Sequence, residues 1–237
     1  MRALAGYLLR SYTVSQRYFG PFAGLVIAVM ILYSYKPNPV MNSYAATAVI
    51  LFIASAWMGL SFLNHEHPVH KQITAVHAGG AFRYTIAGMA ALIFLTGIMS
   101  VLTVIYPLLA GRFAEAPGVY RLLSALAGHF LLGMLGISIS LYLQASWVRK
   151  TSHASGLLLI ILILAVAGTQ ISKLLEGPFQ ALSLLLPPAA PVMDAMMNTD
   201  TLPLSRLLLS YGHVLFYSLL LAGFYLYRSS RKDMNKN

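Results

Sequence analysis

The chain has 237 residues, of which 58% are hydrophobic and only 9% are charged, and its mean hydropathy is +0.72. A soluble domain carries about 25% charged residues, so this composition excludes a soluble globular protein and predicts an integral membrane protein. The sequence contains no cysteine, which excludes disulfides and cysteine-based metal or nucleophile chemistry. The net charge of +10 comes from basic residues that flank apolar runs. It therefore indicates membrane orientation and contact with anionic lipids, and no nucleic-acid binding.

Six apolar segments are long enough to cross a bilayer as helices, since a span needs about 20 residues. Their apolar runs are continuous, whereas the strands of a barrel alternate, so the predicted fold is all-α. The predicted spans are 18–35, 44–63, the run between Arg83 and Arg112, the run between Arg121 and Arg149, 151–172 and 207–227. Eleven Lys and Arg residues fall on one side of these spans and five on the other. This asymmetry predicts a multi-pass protein of the inner (plasma) membrane with both termini in the cytoplasm.

The N-terminal segment 1–17 is amphipathic but too short and too charged to span. Leu4, Tyr7, Leu8 and Tyr12 can share one helical face, with the arginines elsewhere. This pattern predicts a helix that lies in the cytoplasmic interface before the first span. The arginines also interrupt the apolar core that a cleavable signal peptide would need.

The segment 173–206, before the last span, is predicted to be an external re-entrant hairpin. Its apolar part, 179–193, is too short to span. Pro187, Pro188 and Pro191 are expected to break any helix in its middle. Such backbone is tolerated at membrane depth only when it is buried in protein or lines a cavity, so we expect the hairpin to pack on the spans.

Residues 64–84 form the predicted cytoplasmic loop between the second and third spans. Pro68 suits the first position of a helix, and the Gly79–Gly80 pair suits its end, which predicts a helix of about eleven residues. Val69, Ile73 and Val76 share one face of this helix, and a helix so short is marginal in water, so it must dock on something.

The histidines of this loop also raise a metal hypothesis. His65, His67, His70 and Glu66 are possible zinc ligands. Their spacing is H-x-H-x-x-H, interrupted by Pro68, and not the H-E-x-x-H that places two histidines on one helical face. No metal site is therefore predicted.

In layout, these features together resemble the ABC-2-type transporter permease family, in its small six-span bacterial form. The run "EHPVHKQITAVHAGG" (66–80) resembles the coupling helix, which in that family enters a groove of a separate ATPase subunit. The resemblance covers nearly the whole chain and implies one transmembrane permease domain, 1–237, with an ABC-2 (type V exporter-like) fold. The run "SWVRKTSHAS" (146–155) would add a second, smaller contact. The implied ATPase-contacting residues are Glu66, Pro68, His70, Lys71, Gln72 and His77.

The family resemblance also implies partners. The sequence contains no G-x-x-x-x-G-K-[ST] motif, so ATP and Mg would be bound by the partner, and this chain would be a transport subunit without enzymatic activity or a cofactor of its own. The implied partners are ABC ATPase subunits, a second permease copy or a paralogue, and membrane lipids. An apolar interior suits export of a peptide, a lipid or a hydrophobic antimicrobial.

Polar residues inside the spans are candidate functional groups by default. Small and polar residues recur at roughly helical spacing in the fourth span, and two more lie in the sixth. They predict a translocation path or a helix interface. The set is His129, Gly133, Gly136, Ser140, Gln144, His213 and Tyr217.

Three alternatives stay open for these residues and for the chain. His129 and His213 lie at similar predicted depth, so the pair could hold a b-type haem in a membrane redox protein. The same histidines could instead be hydrogen-bonded structural residues. The chain could also be a membrane accessory or immunity protein that transports nothing.

Overall fold

The computed structural model describes residues 1–145, 148, 150–175, 183 and 185–234, with side chains as far as residue 230. Within these residues the regular structure is helical and contains no strand, which confirms the predicted all-α class. The helices are α1 Arg2–Val14, α2 Phe19–Leu32, α3 Val40–Leu63, α4 Pro68–His77, α5 Ala81–Leu109, α6 Gly118–Ser140 continued by the 3-10 turn Leu141–Leu143, α7 Thr151–Val166, α8 Gly168–Leu174, α9 Ala189–Met197 and α10 Leu204–Met234.

Four of these helices, α3, α5, α6 and α10, are long and apolar enough to cross a membrane alone. Two further pairs qualify only when each is counted as one bent span: α1 with α2, bent by 75°, and α7 with α8, bent by 67°. The described residues therefore contain four candidate spans, or up to six, and the predicted six is the upper limit. The first predicted span falls on α2, whose 14 residues cover only about 21 Å at 1.5 Å per residue.

The centre of the bundle is the contact between α3 and α6, which run in the same direction. Gly59 of α3 faces Ser140, and Gly136 of α6 faces the backbone of α3. A Cβ at Gly136 would lie 2.5 Å from the carbonyl oxygen of Phe52 and 3.0 Å from the amide nitrogen of Ala56. Small residues at these points let the two backbones approach closely.

Helix α1 packs against the ends of α3 and α5. Leu8 and Tyr12 are fully buried, and the Tyr12 hydroxyl donates to Ser61 Oγ at 3.2 Å. Tyr7, which was predicted to share this face, is 49% exposed, because it lies at the edge of the stripe and not at its centre. The 75° bend between α1 and α2 separates the amphipathic segment from the apolar one.

The region before the last span packs on the bundle, as its apolar composition predicted. Helix α9 buries Ala190, Val192 and Met196 in the core. The expectation that all three prolines break the helix is wrong for Pro191, which lies in the first turn of α9, where the missing N–H of a proline costs no helical hydrogen bond. Residues 176–182 and 184 of the predicted hairpin lie outside the described residues.

Candidate functional site: helix α4 and the polar network beneath it

Helix α4 begins and ends where the sequence predicted, and it has ten residues. Pro68 occupies the first turn, and the His67 side chain caps the helix by accepting from the Val69 amide at 3.4 Å. Gly79 and Gly80 follow the helix with φ of +82° and +122°, a conformation that side-chain-bearing residues rarely adopt. These two glycines separate α4 from the long helix α5.

Helix α4 turns its polar face toward the bundle and exposes its apolar face, which is the reverse of the usual arrangement of an amphipathic helix. None of its residues is fully buried. Lys71 and Ala75 turn toward the bundle and are half-buried, whereas Val69, Ile73 and Val76 are 53%, 52% and 76% exposed. The apolar face is therefore unused by the described part of the chain.

Lys71 ties α4 to two of the long helices. Its Nζ donates to Gln144 Oε1 at 3.0 Å, just after the 3-10 turn that ends α6. The Gln144 amide in turn donates to the Tyr225 hydroxyl of α10. The ammonium also lies 5.8 Å from the centroid of the Tyr84 ring of α5. Burial lowers the pKa of Lys71, and the nearby charge of Glu66 opposes that shift.

Glu66 also points into the protein. Its Oε2 accepts from the Tyr84 hydroxyl at 2.5 Å, and its Oε1 is buried without a hydrogen-bond partner, 4.0 Å from His65 Nε2. The side chains of His65 and Glu66 are only 3% and 6% exposed. Of the six residues that the family resemblance implied for ATPase contact, Glu66 and Lys71 thus face inward. The other four, Pro68, His70, Gln72 and His77, are exposed.

The two intramembrane histidines lie in different surroundings. His129 is fully buried, with Nδ1 2.7 Å from the Ala125 carbonyl oxygen and Nε2 3.0 Å from Thr47 Oγ1. Because a carbonyl oxygen only accepts, Nδ1 carries the proton, and Nε2 lies within hydrogen-bond distance of the Thr47 hydroxyl, which also reaches the Ser43 carbonyl oxygen at 3.1 Å. Both nitrogens are thus engaged, which does not fit an axial haem ligand. His213 is exposed on α10, beside a small cleft that Pro187 and Pro188 line.

The remaining residues of the predicted intramembrane set are distributed over three places. Gly133, Gly136 and Ser140 lie at contacts with α3 of the same chain. Gln144 belongs to the network beneath α4, and the Tyr217 hydroxyl donates to the Leu185 carbonyl oxygen at 2.9 Å. Among the described residues, no group of three His, Asp or Glu side chains could hold a metal ion.

The implied second contact, 146–155, is described only in part, since residues 146, 147 and 149 lie outside the described residues. Its remaining residues include Lys150 and the start of α7, and Lys150 is exposed.

Sequence reasoning missed the partners of these residues. Thr47 is a polar residue within a predicted span, a signal that could have marked it alongside His129. The sequence did not mark Tyr84 and Tyr225 as functional residues, because tyrosines are common at the ends of spans.

Comparison of the chain with protein-family models, with curated proteins and with solved structures gives no match. The functional interpretation therefore depends on the geometry of the chain itself.

Proposed function

We propose that this chain is the transmembrane permease subunit of an ABC transporter, and that the outward face of α4 receives a separate ATPase subunit. The observation that carries the proposal is the reversed amphipathic character of α4. Its polar side is committed to the bundle through Lys71, and its apolar side is exposed.

The direction of the exposed face supports a protein partner over lipid. Lys71 contacts Gln144 and Tyr84, which lie at the ends of α6 and α5, and Gln144 in turn contacts Tyr225 at the end of α10. At about 100° per residue, Val69 and Ile73 each point about 160° away from Lys71 on the helix. The apolar face is thus turned away from the ends of the spans and toward the aqueous phase, where it is unfavourable unless covered.

Burial of this apolar face by a partner protein is favourable. Complete burial of a Val or Ile side chain stabilises a complex by about 1.5–3 kcal/mol. Val69, Ile73 and Val76 are each half-exposed or more. A groove that covers all three would therefore gain about 3 kcal/mol from this contact alone. His70 and His77 flank the face and supply polar contacts at its rim.

The proposed mechanism is alternating access. ATP-driven closure of two ATPase subunits would displace α4 in each of two permease copies or a pair of paralogues. Displacement of α4 would reach α6 and α10 through Lys71 and Gln144 and open a path for a peptide, lipid or hydrophobic antimicrobial. The segment that contains α9 would gate the outer end of that path. In this arrangement both termini lie in the cytoplasm, and the chain resides in the inner membrane.

Co-purification tests this proposal. Affinity-tagged permease, extracted from its native membrane in mild detergent, should retain a P-loop ATPase that mass spectrometry identifies. The variant V69S/I73S/V76S should lose it, and V69L/I73L/V76L, which keeps the face apolar, should retain it. If the wild-type chain retains no ATPase, the permease proposal fails, and a non-transporting accessory protein becomes the better interpretation.

A further inference from the structure

The space beneath α4 contains a cation without an anionic partner. Lys71 donates to a neutral acceptor, Gln144 Oε1. Among the described residues, no carboxylate oxygen lies within 4.0 Å of Lys71 Nζ. A half-buried ammonium without a counter-ion is unfavourable, because the hydration that it loses is not fully replaced.

Glu66 does not fill this role. Its Oε2 accepts from the Tyr84 hydroxyl, and the Tyr84 ring lies beneath the Lys71 ammonium. The carboxylate thus stays beyond ion-pair distance, and burial still lowers the pKa of Lys71 despite the opposing effect of Glu66. An anion placed against Nζ would restore the stability of the charged form.

A cavity of about 230 Å³ adjoins Lys71. A water molecule takes about 30 Å³ in the liquid, so the cavity has room for a group of several heavy atoms. Besides the ammonium, its walls offer the amide of Gln72 and the hydroxyls of Thr85 and Ser229, and no acidic side chain is among the described residues that line it. The lining residues are Pro68, Lys71, Gln72, Ala75, Ala81, Tyr84, Thr85, Gln144, Tyr225 and Ser229.

This set of donors suits a phosphate group, whose oxygens accept from ammonium, amide and hydroxyl groups together. The cavity lies where the ends of α5 and α10, two candidate spans, meet α4, so in a bilayer it would lie near the headgroup layer. Phosphate groups of anionic lipids are concentrated at that depth, and basic pockets between spans bind such headgroups.

We propose that the α4 cavity is a phosphate-binding site in which Lys71 is the principal ligand-binding residue. The phosphate comes from an anionic phospholipid headgroup or from free phosphate. The site belongs to the chain alone, so it does not depend on the proposed ATPase partner and can be tested without it.

Native mass spectrometry of the purified chain in detergent tests the site. With phosphatidylglycerol, the wild-type chain should retain one lipid more than it retains with phosphatidylcholine. K71M should lose this lipid, with an affinity at least tenfold lower. K150M removes the same charge at an exposed lysine and should bind like the wild type. A second arm measures ³¹P line broadening of inorganic phosphate, which the wild-type chain should cause and K71M should not.

The two arms identify the source of the anion. Lipid retention without phosphate broadening assigns the site to lipid headgroups, and broadening without retention assigns it to free phosphate. If K71M does not fold, as judged by gel filtration, T85V provides a milder test and should bind about threefold more weakly. The proposal is overturned if the wild-type chain prefers neither phosphatidylglycerol nor phosphate, or if K71M and T85V bind like the wild type.

Discussion

Lys71 Nζ donates to Gln144 Oε1 over 3.0 Å and joins two residues that are 73 positions apart in the chain. Sequence reasoning had assigned Lys71 to a cytoplasmic contact and Gln144 to an intramembrane stripe. Their hydrogen bond connects a short helix outside the spans with the end of α6 and, through Tyr225, with α10. Through this bond α4 is connected directly to the end of α6 and indirectly, through Gln144, to α10.

The half-buried Lys71 gives the stability of the protein a pH dependence of defined sign. Because burial lowers its pKa below the ordinary value of 10.5, the folded protein releases this proton at lower pH than the unfolded chain. The unfolded chain thus binds more protons across that window, and the free energy of unfolding rises with pH by at most about 1.4 kcal/mol per unit.

Thermal denaturation in phosphate-free detergent solution measures this effect. The melting temperature of the wild-type chain relative to that of K71M should rise as the pH increases toward 10.5, the ordinary pKa of lysine. K150M, which removes the same charge at an exposed lysine, is the matched control. A constant difference between the wild type and K71M would show that Lys71 keeps its ordinary pKa.

The close contact between α3 and α6 predicts that Gly136 cannot be enlarged. In G136A the new Cβ would lie 2.5 Å from the Phe52 carbonyl oxygen, and this oxygen belongs to the backbone and cannot rotate away. We expect a loss of about 1–3 kcal/mol in the free energy of unfolding, measured by denaturation in detergent.

Gly156 of α7 supplies the control for that substitution. A Cβ at Gly156 would meet nothing within 4 Å, so G156A should leave stability unchanged or raise it by up to about 1 kcal/mol through helix propensity. Equal stabilities of G136A and G156A would contradict the close packing of α6 on α3.

The hydrogen bond between His129 and Thr47 predicts an energetic coupling inside the bundle. A double-mutant cycle with H129L and T47V should give a coupling of about 0.5–2 kcal/mol, because each single variant already removes the 3.0 Å contact. Additive losses of stability, with no coupling beyond error, would mean that the two side chains act independently.

Local rules were enough to predict much of the fold. Pro68 and the Gly79–Gly80 pair fixed both ends of α4, since each acts through its own backbone geometry. The apolar runs correctly predicted α3, α5, α6 and α10 as candidate spans, because a continuous apolar run of that length favours a helix long enough to cross a membrane.

Long-range packing was not predictable in the same way. The predicted first and fifth spans are short, bent helices, and composition carries no information about a bend of 75° or 67°. The inward orientation of Glu66 and Lys71 depends on Tyr84 and Gln144, whose proximity is set by the packing of α5 and α6. A periodicity argument gives the faces of a helix and not which face its neighbours cover.

The central claim, that the outward face of α4 docks an ATPase, is tested most directly by site-specific cross-linking. The chain has no cysteine, so V76C carries a single thiol, and position 76 is 76% exposed. A photoactivatable maleimide on V76C should cross-link to a P-loop ATPase in native membranes. L109C, labelled at an equally exposed position at the far end of α5, should not. An adduct of V76C with lipid only, or the same adducts from both positions, would contradict the claim.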